Sequence, residues 1–314
     1  MTRIAVTCVQ MQRDLAALES EFDRLGVEVV CPPVVQALAG DDLVAALADC
    51  AGVIAGDDAF TADVIARLPG LRAIAKWGVG IDGIDLAAAA EHGVAVSNTP
   101  GAFDDDVADI ALAYLIGLAR GLHLVDRGVR AGGWPKPVGR SVGAMTVGVI
   151  GLGGIGRAFG RRGLALGARV MGADPVAASR EAAAADGIDV VGLDDLLARV
   201  DALSLHCPLT PETRHLLDAR AFAVVRPGLL LVNTARGPVI DETALVAALE
   251  WGQVAGAALD VFEAEPLAAD HPLRRFEQVV LGSHNASNTA EACARVHHRA
   301  LANLADALGL GRDS

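Results

Sequence analysis

Short runs of β-branched and other apolar residues alternate along the chain with longer segments rich in alanine and leucine. The apolar runs have the length of buried strands, whereas segments such as 13–26 and 41–51 repeat their hydrophobic residues at helical spacing. This alternation predicts parallel sheets with helices on both faces. The predicted strands are 3–9, 27–33, 52–56, 71–77, 93–98, 146–151, 168–174, 202–206, 229–234, 256–260 and 278–283.

The segment 99–130 separates the first five predicted strands from the last six. It opens with Thr99-Pro100-Gly101, which interrupts regular secondary structure. A helix is predicted to follow, with aspartates at its start and arginines toward its end. We interpret Asp104–Asp106 as a favourable first helical turn rather than as a metal site. Because 314 residues can build two cores, the pattern predicts an α/β protein with two doubly wound parallel-sheet domains.

The composition narrows the class of protein. The chain is 53% hydrophobic and 21% charged, which indicates neither disorder nor a nucleic-acid-binding tail. Its net charge of −13 disfavours binding to nucleic acid or anionic membranes. The five cysteines are scattered without a CxxC pair, so we expect neither a disulfide framework nor a metal site. The N-terminus lacks the apolar region of a signal peptide, and no uncharged apolar stretch has the length of a membrane span. We therefore expect a soluble cytoplasmic protein.

A glycine-rich turn follows the predicted strand 146–151 and opens a helix. Gly151, Gly153 and Gly156 have the G-x-G-x-x-G spacing, which allows a tight turn, close approach of a pyrophosphate and close helix packing. The next predicted strand ends at Asp174, where a carboxylate can accept hydrogen bonds from the adenine ribose. The combination predicts dinucleotide binding, and the carboxylate favours NAD because it repels a 2′-phosphate. Arg180 keeps NADP as an alternative.

Ligands of open parallel sheets bind outside the carboxyl ends of the strands. Ionisable side chains that follow a strand of the second set are therefore candidates for chemistry. They are His206, Arg236, Asp260 with the nearby Glu263 and Glu265, and His284.

Hydride transfer to a 2-oxo acid requires three kinds of side chain beside the cofactor. An arginine holds the carboxylate, a histidine exchanges the hydroxyl proton, and a carboxylate orients the histidine. Arg236, His284 and Glu265 fit these roles. On residue type alone Glu263 is equally suitable, and His206 competes with His284. His206 is the poorer candidate because the Cys-Pro pair that follows it indicates a tight connection.

At these residues the chain resembles the D-isomer-specific 2-hydroxyacid dehydrogenases. The resemblance covers nearly the whole chain and is densest in 206–217, 232–249 and 256–267. Several long motifs in the right order are more specific than the glycine turn alone. The resemblance implies that Arg236 binds the substrate and that His284 is the acid/base. It also selects Glu265, rather than its neighbour two residues earlier, as the partner carboxylate.

The resemblance further implies where the cofactor binds and how the domains are arranged. A flavodoxin-like substrate domain, 1–99 and 287–314, is expected to flank a Rossmann cofactor domain, 100–286, with a cleft between them. A homodimer is expected through residues 100–140, with Trp134 as an aromatic anchor. The implied NAD contacts are Ile155, Gly156, Asp174, Cys207, Thr234 and Asp260.

The substrate must also be held by the first domain. We expect Lys76 and the N–H groups of Gly78 and Val79 to bind an oxyanion, the alternative being that this lysine is a solvated strand-end residue. Asp57 and Asp58 disfavour a phosphorylated substrate because like charges repel. A small acid such as glyoxylate or hydroxypyruvate is therefore expected, with 3-phosphoglycerate, phosphonate or phosphite oxidation as the alternative.

Some positions depart from the family pattern, and other functions share the fold. The departures are Phe103, Asp106, Ser283 and Asn285.

An NAD(H)-sensing binding protein, similar to the corepressors that share this fold, is a second hypothesis, which the absence of long polar tails disfavours. Formate oxidation is disfavoured because the formate enzymes carry glutamine where this chain has Glu265.

Overall fold

The computed structural model describes residues 1–311, which form two compact units. The first comprises Met1–Ala102 and the segment that begins at Asn288, and the second comprises Phe103–Ser287. The sequence placed the divisions after residues 99 and 286. The last three residues of the predicted 287–314 segment lie outside the described residues.

The first unit contains a five-stranded parallel sheet in the order β2-β1-β3-β4-β5. This is the flavodoxin-like order, as the predicted fold class required. The strands are β1 (Thr2–Val6), β2 (Val27–Val30), β3 (Gly52–Ala55), β4 (Ala73–Lys76) and β5 (Ala95–Ser97). The helices before residue 100 are α1 (Val9–Arg13), α2 (Leu15–Leu25), α3 (Gly40–Leu47), α4 (Ala62–Ala66) and α5 (Leu86–Glu91).

The C-terminal helix, Ala290–Leu308, returns to this first sheet and packs on β3 and β4. Thr289 caps its start by accepting a hydrogen bond of 3.1 Å from the N–H of Ala292. A Cβ atom at Gly52 in β3 would lie 2.8 Å from Leu304 Cδ1, so helix and sheet meet at van der Waals distance there. β3 and β4 are buried along their whole length, which explains why they consist of glycine and apolar residues except for Lys76 at the end of β4.

The second unit contains a seven-stranded parallel sheet in the order β12-β11-β10-β9-β6-β7-β8. The order reverses between β6 and β9, as in Rossmann folds. The strands are β6 (Thr146–Ile150), β7 (Arg169–Ala173), β8 (Asp189–Val190), β9 (Ala202–Leu205), β10 (Leu229–Asn233), β11 (Val254–Leu259) and β12 (Val279–Leu281). The helices are α6 (Asp104–Arg120), α7 (Leu122–Arg130), α8 (Gly154–Ala165), α9 (Ala177–Ala185), α10 (Leu193–Arg199), α11 (Ala219–Val224) and α12 (Glu242–Glu250).

The helix predicted within 99–130 is in fact two helices, α6 and α7. Gly121 separates them because it takes a left-handed conformation with φ of 61°. Asp104–Asp106 form the first turn of α6, as expected. Among the described residues, no single helix is long and apolar enough to cross a membrane. Together, α6 and α7 have the length and composition of a membrane span, but a bend of 66° separates them.

Candidate active site

Six strands of the second sheet end at the same level. Their last residues pair in register, in the order Ala173, Ile150, Leu205, Asn233, Leu259 and Leu281 across the sheet. The residues that follow them are therefore neighbours along one edge of the sheet. They are Asp174, Gly151, His206, Thr234, Asp260 and Gly282.

The glycine turn lies at the centre of this edge. Gly151 has φ of 90°, and a Cβ atom there would lie 2.5 Å from the main-chain nitrogen of Cys207. A Cβ atom at Gly156 would lie 1.9 Å from the carbonyl oxygen of Gly151, so the helix packs directly on the turn. Gly153 is exposed, with no atom within 4 Å of its Cβ position. The turn thus leaves room for a phosphate group at the N-terminus of α8.

Two further predicted cofactor contacts flank this turn. Ile155 lies half-buried in the first turn of α8. Cys207 is buried, and burial raises the pKa of its thiol to about 11, so the thiol is protonated near neutrality. Cys207 thus contributes packing and main-chain groups to the edge rather than a thiolate.

The carboxylate of Asp174 lies beside the glycine turn. Its Oδ2 accepts a hydrogen bond of 2.7 Å from the N–H of Leu152, and its Oδ1 accepts one of 2.8 Å from the N–H of Val176. Each oxygen has a second lone pair with which to accept from a ribose hydroxyl. Arg180 donates to the main-chain carbonyls of Asp174 and Pro175, at 3.0 and 2.6 Å. The acid is therefore where the sequence placed it, at the end of β7.

Two buried polar atoms at this edge lack a hydrogen-bond partner among residues 1–311. They are Oγ1 of Thr234 and Nδ1 of His206. Buried polar atoms nearly always have a partner, so these two fit a bound polar ligand at this edge. A dinucleotide, which carries hydroxyl, amide and phosphate groups, is a ligand of the right chemistry.

His206 is unsuited to proton exchange near neutrality. Its Nε2 contacts Ser204 Oγ at 2.8 Å, and its ring lies 5.2 Å from that of Phe159. Burial lowers the pKa of His206 to about 3, so the imidazole is neutral at physiological pH. This favours His284 over His206 as the acid/base candidate.

His284 and Glu265 are in direct contact. Nδ1 of His284 lies 2.8 Å from Oε2 of Glu265, while Oε1 of Glu265 accepts a hydrogen bond of 2.9 Å from the N–H of Phe262. The side chains are 26% and 20% exposed, so solvent screens the pair only partly. Because a carboxylate accepts, Nδ1 carries the proton in this contact. A carboxylate in this position fixes the tautomer and the orientation of the imidazole.

Glu263, the other acid considered from the sequence, faces different partners. Its Oε1 lies 3.0 Å from Nε2 of His215 and accepts a hydrogen bond of 3.2 Å from the N–H of Glu242. Of the two acids, Glu265 contacts His284 and Glu263 contacts His215.

The turn that carries His284 is held by Asp260. His284 has a positive φ of 54°, which is uncommon for any residue but glycine. Its N–H donates to the carbonyl of Asp260 at 2.7 Å, and the N–H of Ala286 donates to Asp260 Oδ2 at 2.8 Å. A Cβ atom at Gly282 would lie 2.2 Å from Asp260 Oδ1, which also accepts from the hydroxyl of Tyr114 at 3.3 Å. The sequence suggested a chemical role or a cofactor contact for Asp260, but not this bracing of the turn, although an aspartate directly after a buried strand was a signal for it.

Arg236 follows β10, and its segment packs on the one that leads to Glu265. Its Nη1 donates to the carbonyl of Ala235 at 2.9 Å, and Asn233 Nδ2 donates to the carbonyl of Arg236 at 3.0 Å. A Cβ atom at Gly237 would lie 1.9 Å from the carbonyl carbon of Phe262. The close approach explains why glycine must follow this arginine.

In the first unit, Lys76 is 6% exposed, so the alternative of a solvated lysine is wrong. Its Nζ donates to the carbonyl of Gly56 at 2.6 Å and to Asp57 Oδ1 at 2.7 Å. Gly78 follows with φ of 137°, and its Cβ position would lie 3.6 Å from Lys76 Cε. Val79 is 37% exposed at the surface of this turn. The predicted oxyanion site is therefore a glycine turn beside a lysine whose charge is already paired.

Asp58 differs from Asp57 in being buried rather than exposed. It is 2% exposed, and burial raises its pKa. It accepts hydrogen bonds from the hydroxyl of Thr7 and from the main-chain N–H groups of Leu38 and Gly56. Asp58 ties three segments together, while Lys76 offsets the charge of Asp57. The expectation that two exposed carboxylates repel a phosphorylated substrate is therefore wrong, because one of them is buried and the other is paired with a lysine.

Comparison with known proteins identifies relatives of this arrangement. Residues 112–286 match the model of the D-isomer specific 2-hydroxyacid dehydrogenase, NAD binding domain. The chain is 41% identical over 250 residues to (S)-sulfolactate dehydrogenase of Chromohalobacter salexigens, covering 79% of this chain and 81% of that protein. It is 36% identical over 310 residues to glyoxylate reductase of Korarchaeum cryptofilum, covering 96% and 91%. A D-lactate dehydrogenase from Aquifex aeolicus, solved with NAD and lactic acid, superimposes with a TM-score of 0.87 at 26% identity, covering 98% and 96%.

Proposed function

The chain belongs to the D-isomer-specific 2-hydroxyacid dehydrogenase family, and we propose that His284, Glu265 and Arg236 are its catalytic residues. The family makes it an NAD-dependent oxidoreductase that interconverts 2-hydroxy and 2-oxo acids. The observation that carries the proposed roles is the 2.8 Å contact between His284 Nδ1 and Glu265 Oε2 at the carboxyl edge of the second sheet.

The proposed roles follow from the chemistry of these side chains. NAD, when bound, supplies or accepts the hydride. With Nδ1 turned to Glu265, His284 exchanges the substrate proton through Nε2, as acid in reduction and as base in oxidation. Glu265 stabilises the imidazolium form, and Arg236 holds the 2-oxo carboxylate with its planar guanidinium.

We assign residues 1–99 and 287–314 to substrate binding and 100–286 to cofactor binding. The glycine turn at Gly78 and Val79 offers main-chain N–H groups to one anionic group of the substrate. Because Asp57 already pairs with Lys76 at 2.7 Å, this turn suits a single negative charge better than a dianion. A small acid such as glyoxylate or hydroxypyruvate is the proposed substrate.

A substrate with a second anionic group is the alternative. The relative from Chromohalobacter salexigens, at 41% identity, is named for (S)-sulfolactate, which carries a sulfonate. Asp58 is buried and its carboxylate accepts hydrogen bonds from protein donors, so it opposes such a substrate less than an exposed carboxylate would.

Steady-state kcat/KM for a panel of 2-oxo acids with NADH tests the substrate assignment. The panel contains glyoxylate, hydroxypyruvate, pyruvate, 3-phosphohydroxypyruvate, phosphonopyruvate and 3-sulfopyruvate. The small acids are expected to have the higher kcat/KM. Lys76→Ala is expected to lower kcat/KM for every acid of the panel. A preference of more than about tenfold (1.4 kcal/mol) for the doubly anionic acids would replace the proposal by its alternative.

We further propose a cytoplasmic homodimer assembled through residues 100–140. No residue of α7 is buried, and Leu122 and Val129 of this helix are exposed. Trp134, in the loop that follows, is 77% exposed. Tryptophan is a typical anchor of an interface, and the two aliphatic side chains add exposed apolar surface. The free thiols of all five cysteines agree with a reducing compartment.

A further inference from the structure

Gly154 is a glycine that the dinucleotide-binding motif does not require. The motif needs glycine at 151, 153 and 156, whereas position 154 tolerates other residues. A Cβ atom at Gly154 would lie 1.8 Å from Oδ2 and 2.8 Å from Oδ1 of Asp104. The carboxylate of Asp104 therefore lies against the Cα atom of Gly154, and the missing side chain makes room for it.

Two helices begin at this point, α6 at Asp104 and α8 at Gly154. Helix N-termini carry partial positive charge, so both favour an anion there. Within the part of the chain that the structure describes, no hydrogen-bond donor contacts the carboxylate of Asp104. The carboxylate thus uses the same electrostatic attraction that a pyrophosphate would use.

The surrounding charges do not cancel that of Asp104. Burial raises the pKa of Asp104, as does the neighbouring Asp105, while Arg161 and Arg157 oppose the shift. Both arginines are already paired with Asp186, at 3.1 and 2.7 Å. Additional negative charge at this point therefore meets repulsion.

We propose that Asp104 limits the affinity of the glycine turn for NAD by placing a carboxylate at the helix N-terminus that receives the pyrophosphate. The pyrophosphate must share the positive end of α8 with Asp104 or displace its side chain. Either outcome makes the binding of NAD less favourable, and it favours rapid release of the cofactor after each turnover. The proposal rests on the NAD-binding turn alone and is independent of the substrate assignment.

Equilibrium titration of the full chain with NADH, followed by nicotinamide fluorescence, tests this role. At low ionic strength, Asp104→Asn is expected to bind NADH about three- to tenfold more tightly, because one carboxylate no longer repels the pyrophosphate. The gain should shrink as salt is added. Asp105→Asn is the matched control, because it removes the same charge from a side chain that is 75% exposed and pairs with Arg162. Unchanged or weaker binding by the Asp104 variant, or an equal gain in the control, would overturn the proposal.

A double-mutant cycle tests the contact itself. Gly154→Ala should push the carboxylate of Asp104 away from the turn. Its effect on NADH affinity should therefore differ by at least about threefold between the wild-type and Asp104→Ala backgrounds. Thermal melts of all four proteins establish that each is folded before titration. An identical effect of the alanine in both backgrounds would show that the two residues do not interact, and the proposal would fall.

Discussion

His284 and Glu265 act as a pair in the proposed chemistry, so the charge of the carboxylate determines the pH range of activity. Glu265→Gln removes the negative charge that favours the imidazolium. Reduction, which requires the protonated ring, should then fail at lower pH than in the wild type, and oxidation should begin at lower pH. The measurement is kcat/KM against pH in both directions. Glu263→Gln is the control, because that residue pairs with His215; the same shift in both variants would contradict the pairing.

Asp174 is the residue on which cofactor choice depends. Asp174→Ala removes an acceptor for the ribose hydroxyls and should weaken NADH binding by about 1.5–3 kcal/mol. It should also narrow the preference for NADH over NADPH, because a 2′-phosphate is no longer repelled. Titrations with both cofactors measure the change. Asp189→Ala, which removes an exposed partner of Arg169, is the control. A wild-type protein that already prefers NADPH would contradict the role of this carboxylate.

Strand endings predicted which side chains reach the edge of the sheet, whereas the pairing of Glu265 with His284 was implied only by the family resemblance. Arg236, Glu265 and His284 each follow a strand, so their common edge could be predicted from strand endings alone. The pairing of Lys76 with Asp57 spans 19 residues, and only the register of β3 and β4 brings them together. From the sequence alone, the charges of Lys76 and Asp57 could not be recognised as a neutralised pair.

At the scale of the elements, the turn after β12 positions His284. Gly282→Ala places a Cβ atom 2.2 Å from Asp260 Oδ1, so the turn or the aspartate must move. Turnover should fall by about 10²-fold, as expected for a misplaced catalytic group, while NADH affinity is retained. Gly192→Ala is the control, because its Cβ position has no atom within 4 Å. Normal turnover in the Gly282 variant would show that the turn tolerates displacement.

All eleven predicted strands are present, whereas the two-residue strand β8 was not predicted. A run as short as Asp189–Val190 carries no periodic pattern, and its pairing with β7 decides its conformation. The break at Gly121 was also missed, because glycine is tolerated inside a helix and only its positive φ identifies the end of α6. Buried strands can thus be predicted from runs of apolar residues, whereas a break within a helix depends on tertiary context.

At the scale of the whole molecule, the exposed apolar side chains around α7 predict association. Trp134→Ala should raise the dissociation constant of a dimer by at least about tenfold, since aromatic anchors typically contribute about 2 kcal/mol or more. Sedimentation velocity over a concentration series measures the effect. Trp251→Ala is the matched control, because Trp251 is similarly exposed, at 83%, but lies after α12, outside residues 100–140. A wild-type protein that is monomeric at micromolar concentration would contradict the dimer.

The central claim is that His284 transfers the substrate proton. His284→Ala should lower kcat by about 10²–10⁴-fold, the usual range for a general acid, while the dissociation constant of NADH changes little. The most direct measurement is single-turnover oxidation of NADH with the preferred 2-oxo acid, since it isolates the chemical step from cofactor release. His298→Ala, an exposed histidine paired with Glu21, should leave the rate unchanged. A near-normal single-turnover rate in the His284 variant would contradict the account and assign the proton to another group.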